Sequence, residues 1–259
     1  YNNGAVEIGN NSVGLYGNDI DIIENLSGAV IKDKGTSNTG IYNIKTTSGA
    51  TAINNNGLIE LGNDGVGIYA ENSVITNTGN IIVGDKVNKN SLGIYAKDSI
   101  LNDIGNVKVG NSGIAYYGDN STLNLNAASV DIGNDGVLAY GINNTFIDYN
   151  LGNKTTSENT FVYLINSNVD FNNAEITVGK NGLGVYQEGA SSTLGYKKLY
   201  VKENGAGIYG YQTNLFNVGD IELTEKNSVG IIAEDSDATN NALKTIKTKN
   251  DVNKTNSFS

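Results

Sequence analysis

Gly205-Ala206-Gly207-Ile208-Tyr209-Gly210 spells G-x-G-x-x-G, and Gly65-Val66-Gly67-Ile68-Tyr69-Ala70 spells its alanine variant. In a dinucleotide fold such glycines lie between a strand and a helix whose N-terminus holds pyrophosphate. Here the phrase sits inside a strand pattern, recurs with a regular period and leads into a polar turn, so its glycines read as structural. Gly62-Asn63-Asp64-Gly65 and Gly133-Asn134-Asp135-Gly136 share the composition of calcium-binding nonapeptide turns, and Glu234-Asp235-Ser236-Asp237 is a further acidic candidate. Calcium arrays need a short period sustained, so that successive turns bring oxygens to one ion. Two copies 71 residues apart do not provide that, and Asn-Asp-Gly is a sufficient turn by itself. No metal site and no cofactor are expected.

Composition excludes most other chemistry. The 259 residues contain no His, Cys, Met, Trp or Pro, and all 17 basic residues are Lys. An imidazole base, a thiolate and a guanidinium fork are therefore missing. With 27 acids the formal charge is -10, which opposes nucleic acid and anionic membrane as partners. No apolar run is long enough to cross a bilayer as a helix, so this segment is not expected to be membrane-inserted. The 43 Asn and 33 Gly could signal disorder, but 15 Tyr with frequent Ile and Val point to a packed chain.

Repetition supplies the packing. The phrase apolar, Gly, aliphatic, Tyr, small recurs as Val13-Gly14-Leu15-Tyr16-Gly17, Val66-Gly67-Ile68-Tyr69-Ala70 and Leu92-Gly93-Ile94-Tyr95-Ala96. Its aromatic position falls at Tyr16, Tyr42, Tyr69, Tyr95, Tyr117, Tyr140, Tyr163, Tyr186 and Tyr209, with Ile232 as a tenth member. The intervals are 26, 27, 26 and 22, then 23 throughout. A second pattern, apolar-x-apolar-Gly, runs from Val6 to Gly9, Ile59 to Gly62, Val107 to Gly110, Val130 to Gly133 and Ile176 to Gly179, its Gly seven residues before the Tyr. A third apolar piece follows the Tyr, as in Val74-Ile75 or Leu123-Asn124-Leu125. Three such pieces cannot fold alone, but stacked coils share one interior. The pattern predicts an all-β fold, a parallel right-handed β-helix solenoid of about ten coils of 22 to 27 residues with three short strands each.

Period-2 alternation on the tyrosine strand puts positions -3, -1 and +1 inward, as in Val66, Ile68 and Ala70, and a Gly row beside a Tyr row outward. The outward tyrosines are the candidate binding residues, an aromatic stripe suited to sugar rings or a protein partner. An equally simple reading is that each ring covers the neighbouring Gly and stacks on the next Tyr. Catalytic carboxylates would have to lie about 5 to 10 Å apart, on adjacent or next-nearest rungs. Three residues after each Tyr position the column reads Asp19, Lys45, Asn72, Asp98, Asn120, Asn143, Asn166, Gly189, Gln212, Asp235, and its acids are never that close. The outward column of the second strand offers Glu7, Glu60, Lys108, Asp131, Thr177, Tyr200 and Glu222, with Lys108 and Asp131 expected to form a surface ion pair. Neither column supplies catalytic residues. Insertions at Lys32 to Asn38, Asp85 to Asn90 and Asn153 to Glu158 are expected to lengthen the turn before the tyrosine strand, and Thr46 to Ala52 another corner.

The G-I-Y-A and N-x-G-x-I-x-V-G phrases over about residues 1 to 240, with abundant Asn and Lys and no Arg, resemble the passenger domains of large fusobacterial type V autotransporter adhesins. That resemblance implies a non-catalytic stalk at the cell surface, its parent protein anchored by an outer-membrane β-barrel. Its implied partners are a host-cell surface protein or glycan, or the surface of another bacterium. The competing expectation is a carbohydrate-active β-helix that binds or degrades polysaccharide. Asn2 to Gly9 aligns with the middle of another repeat, Asn55 to Gly62, and Asn256 to Ser259 resembles the entry to a tyrosine strand. Residues 1-259 are thus expected to be one segment of a longer β-helical domain, with Lys244 to Lys254 as a weaker eleventh coil.

Overall fold

The computed structural model describes residues 1–156, 158–217, 219–240 and 246–248. Every regular element among them is a strand, and they form a parallel β-solenoid with ten strands of the tyrosine type. One coil comprises an aliphatic strand Leu58–Leu61, a tyrosine strand Val66–Glu71 and a third strand Ser73–Asn77. The next comprises Asn80–Val83, Leu92–Lys97 and Ile100–Asp103. Ile59 pairs with Ile81, Tyr69 with Tyr95 and Ile75 with Leu101, all in parallel. Each coil thus returns the chain to the same three edges, and strands too short to persist alone gain a partner above and below.

Two compact units are built this way, residues 1–139 and 140–259. In the first, aliphatic strands form a sheet from Ala5–Ile8 to Ser129–Ile132, tyrosine strands run from Val13–Asn18 to Ile114–Asp119, and third strands from Ile22–Asn25 to Thr122–Leu125. In the second, aliphatic strands run from Lys154–Thr156 to Ile246–Thr248 and tyrosine strands from Thr160–Ile165 to Val229–Glu234. Ile59, Ile68 and Ile75, one from each strand of a coil, are completely buried. Each such burial contributes roughly 2 kcal/mol. Of the Lys244 to Lys254 stretch, Ile246–Thr248 is a strand paired with Asp220–Leu223. The rest of it, and Asn256 to Ser259, lie outside the described residues.

The tyrosine strand departs from strict alternation. Positions -1 and +1 point inward as expected, Ile68 and Ala70 being fully buried. The glycine at -2, expected outside, is buried, and position -3, expected inside, is half exposed at Val66 and exposed at Val13, with Leu92 the buried exception. Residue pairing skips -2: Val66 pairs with Leu92 and Ile68 with Ile94. Two successive residues therefore face the interior where the chain leaves the corner. A Cβ on Gly67 would stand 2.5 Å from Ile81 Cγ2 and 2.4 Å from the Gly93 carbonyl oxygen. The missing side chain is the space that the aliphatic strand's isoleucine fills. Where the column carries Ala115, Leu138 or Phe161, these side chains are buried.

Two corner columns account for part of the asparagine content. Asn11, Ser37, Asp64, Ser112, Asp135, Asn181, Asn204 and Asn227, each five residues before a Tyr position, have φ between 52° and 60°. Asp19, Asn72, Asp98, Asn120, Asn143, Asn166, Gln212 and Asp235, three after it, have φ between 47° and 54°. Left-handed backbone is tolerated best by Gly, Asn and Asp. The G-x-G-x-x-G match lies largely within strand Ala206–Tyr211, in keeping with its structural reading. Loops at residues 34–38 and 84–91 precede tyrosine strands as expected. Asn153 to Glu158 is different: Lys154–Thr156 is not inserted turn but that coil's aliphatic strand, paired with Ile176–Val178. Lys154 occupies the position of a core isoleucine, which hid the strand from a hydrophobic reading.

Buried polar groups stitch the first unit. Asn2 Nδ2 donates to Asn25 Oδ1 (2.9 Å), Asn25 to Asn55 (2.8 Å), Asn55 to Asn77 (2.7 Å) and Asn77 to Asp103 Oδ1 (2.7 Å). The next position is Leu125, so the ladder ends on the Asp103 carboxyl group. Asp103 also accepts from Gly105 N and from the buried hydroxyl of Tyr116. Burial is the largest influence on Asp103 and raises its pKa despite these donors. The folded state then holds this proton more tightly than the unfolded chain. Between the ordinary aspartate pKa and the raised folded value, stability falls as pH rises. The carboxylates with lowered pKa act in the opposite sense, so the test is a comparison: chemical denaturation at stepped pH should show the stability difference between the native chain and Asp103→Asn shifting toward the native chain as pH falls toward about 4. Equal slopes in both proteins would contradict this.

Candidate functional site

The tyrosine row stands where the alternation placed it, outward on every tyrosine strand. In the first unit Tyr16, Tyr42, Tyr69, Tyr95 and Tyr117 are stacked in sequence, with ring centroids 5.7, 4.8, 4.7 and 5.0 Å apart and planes within 27°. In the second unit Tyr140, Tyr163, Tyr186 and Tyr209 stack at 4.6, 4.1 and 5.5 Å with planes within 12°. These separations match the strand spacing of about 4.8 Å, so the rings are held parallel by the sheet itself. Each pair contributes about 1 kcal/mol beyond its burial. Tyr16 is 66% exposed, while the others are half-buried.

Stacking determines what the row can present. An inner ring has both faces on its neighbours, so a ligand meets edges and hydroxyls. Carboxylates two residues along the strand capture some of these hydroxyls: Tyr69 donates to Glu71 at 2.5 Å and Tyr186 to Glu188 at 3.0 Å. Tyr209 donates to Glu234 of the following coil. Sequence reading missed these acids, although the Tyr-x-Glu spacing at Tyr69 and Tyr186 was visible. Burial, helped by Asp119, pushes the Tyr95 phenol up to about 12. Burial and Glu71 raise Tyr69, burial raises Tyr42 and Tyr117, and the bond to Glu234 raises Tyr209. All of these remain neutral donors at ordinary pH.

The outward aliphatic column is also as read, running Glu7, Lys32, Glu60, Ile82, Lys108, Asp131 in register in the first unit. Lys108 and Asp131 are neighbours, but their charged atoms do not come within ion-pair distance. Lys32 pairs instead with Glu60 at 3.1 Å, and Lys198 pairs with Glu222. An exposed pair such as Lys32–Glu60 contributes at most about 1 kcal/mol.

Several surface carboxylates are held ionised. Lys34 lowers the pKa of Glu7, Lys197 that of Glu175 and Lys226 that of Glu203. Backbone N–H groups do the same for two acids of the corner columns. Thr46 and Thr47 donate to Asp19 at 2.6 and 3.0 Å, and Val87, Asn88 and Lys89 converge on Asp64 at 2.7 to 3.0 Å. Asp64 of the Asn-Asp-Gly turn is thus a loop anchor. A general acid needs the opposite displacement. Asp103 has it, but is completely buried. No group of three or more potential metal-ligating side chains occurs among the described residues. A pocket lined by Gly189, Gln212, Thr213, Asn214, Asp235 and Ser236 belongs to the second unit and was not foreseen from sequence. No family model, curated protein or solved structure matches the chain.

Proposed function

We propose that this chain is a non-catalytic stalk segment of a bacterial autotransporter adhesin, displayed at the outer membrane and mediating or presenting attachment to host cells or other bacteria. The observation that carries the reading is repetition of one coil plan, with the same outward tyrosine on nine of the ten strands of this type. Spacing and multivalent display are served by such repetition, whereas an enzyme needs one place where the plan breaks around paired acids. The ionised state of the surface carboxylates supports the same reading. So does the resemblance of the G-I-Y-A phrases to autotransporter passengers.

The test is adhesion of the fluorescently labelled 259-residue chain to epithelial cells and to bacterial cells. Saturable adhesion is expected, and Tyr42→Ser, Tyr69→Ser and Tyr95→Ser combined should weaken it at least about tenfold with the β-sheet circular dichroism retained. Unchanged adhesion would remove the tyrosine row from the contact surface. Polysaccharide depolymerisation that disappears on a single Asp or Glu substitution would overturn the stalk and favour the carbohydrate-active alternative.

A further inference from the structure

In the second unit an open pocket of about 360 Å³ is lined by Gly189, Gln212, Thr213, Asn214, Asp235 and Ser236. Gly189, Gln212 and Asp235 are the corner residues that follow three successive tyrosine strands, Leu183–Glu188, Ala206–Tyr211 and Val229–Glu234. Elsewhere this corner is closed by a ladder of hydroxyls. Ser73 N donates to Ser99 Oγ (2.9 Å) and Ser99 N to Ser121 Oγ (3.1 Å) in the first unit. Thr145 N donates to Ser167 Oγ (3.1 Å), Ser167 N to Ser191 Oγ (3.2 Å) and Thr213 N to Ser236 Oγ (3.0 Å) in the second. The rung from Ser191 to Thr213 is missing.

One feature of the chain sets the corner apart there. Gly189 lacks the amide that Asn72 and Asn120 extend to the preceding coil, at 2.6 Å in both cases. Thr213 is consequently left 6% exposed with Oγ1 buried and without any partner. A buried hydroxyl in this state is uncommon, because its lost hydration is not recovered by a protein bond.

We propose that this pocket binds a neutral saccharide unit through its hydroxyl groups. The wall offers acceptors (the Asp235 carboxylate and the amide oxygens of Gln212 and Asn214) and donors (the amide NH2 groups of Gln212 and Asn214), with the uncommitted Thr213 hydroxyl beneath them; the Ser236 hydroxyl already donates to the Glu234 carbonyl. Groups that donate and accept at once, such as the vicinal hydroxyls of a sugar, match that mixture. An ammonium or metal ion would satisfy the acceptors alone. An anion meets no lysine in the lining and one carboxylate. The argument for the pocket uses nothing of the tyrosine row, and either site can exist without the other.

Saturation-transfer NMR of the 259-residue chain with D-glucose, D-galactose or N-acetyl-D-glucosamine tests the proposal. At least one sugar should receive saturation and bind with millimolar affinity, and Thr213→Val and Asp235→Asn should each weaken it at least about tenfold. Thr213→Val keeps the side-chain shape and removes a hydroxyl without a partner, so its melting temperature should be unchanged or higher. Transfer to none of the sugars overturns the proposal. Binding that is unaltered in both variants also overturns it, placing the sugar elsewhere. Calcium chloride that shifts the Gln212 and Asn214 amide resonances, with the sugars inert, replaces the saccharide by a cation.

Discussion

Asn77→Leu lowers the stability of the first unit by about 4 kcal/mol, the largest loss expected from a single side chain of similar volume. Asn77 accepts from Asn55 and donates to Asp103, and all three are completely buried. Leucine therefore leaves the Asn55 amide donor without this partner and removes one of the donors to Asp103, which keeps Gly105 N and the Tyr116 hydroxyl. The orphaned amide costs about 1 to 3 kcal/mol, and the lost hydrogen bond to the Asp103 carboxyl group about 1.5 to 3 kcal/mol more. The melting temperature should drop by roughly 10 °C, with amide exchange accelerated first in the third strands. Asn54→Leu is the control. Asn54 faces outward and donates to the equally outward Glu24 at 3.1 Å, so its replacement should stay within about 0.5 kcal/mol. Equal losses at both positions would show that the amide ladder contributes no more than ordinary surface asparagines.

Gly67→Val is expected to cost about 3 kcal/mol or more, for a different reason. The new Cβ would meet the Gly93 carbonyl oxygen at 2.4 Å and the buried Ile81 methyl at 2.5 Å. Neither can move without separating coils that the sheet holds at one spacing. Gly9→Val supplies the comparison, since a Cβ there meets nothing within 4 Å, and its effect should be below about 1 kcal/mol. Denaturant midpoints of the two variants decide the matter. Similar midpoints would mean that the corner relaxes and that the glycine column is a matter of composition alone.

Both expectations concern features that a period-based reading of the chain places poorly. Alternation assigns the Ile68 and Ala70 positions correctly because one strand face is buried and the other is not. It fails at Gly67, where pairing skips a residue at a corner and two successive residues turn inward. Lys154–Thr156 was lost for a related cause, since hydrophobic pattern finds strands only where their inward residues are apolar. The amide ladder was hidden by the insertions. Asn25, Asn55, Asn77 and Asp103 lie 30, 22 and 26 residues apart, and only folding removes the added corners and puts them in line.

Regular spacing of Tyr, Gly and Asn was enough to specify coils, their parallel stacking and which side of each strand holds the tyrosines. That information is local and repeated, so each coil states it again. Packing settled the rest. Ring faces are closed against one another because strand spacing equals stacking distance, the glycines lie inside because isoleucine methyls occupy their corner, and Thr213 lacks a partner because the rung from Ser191 is not made. These outcomes depend on distances between coils, a quantity that no single repeat contains.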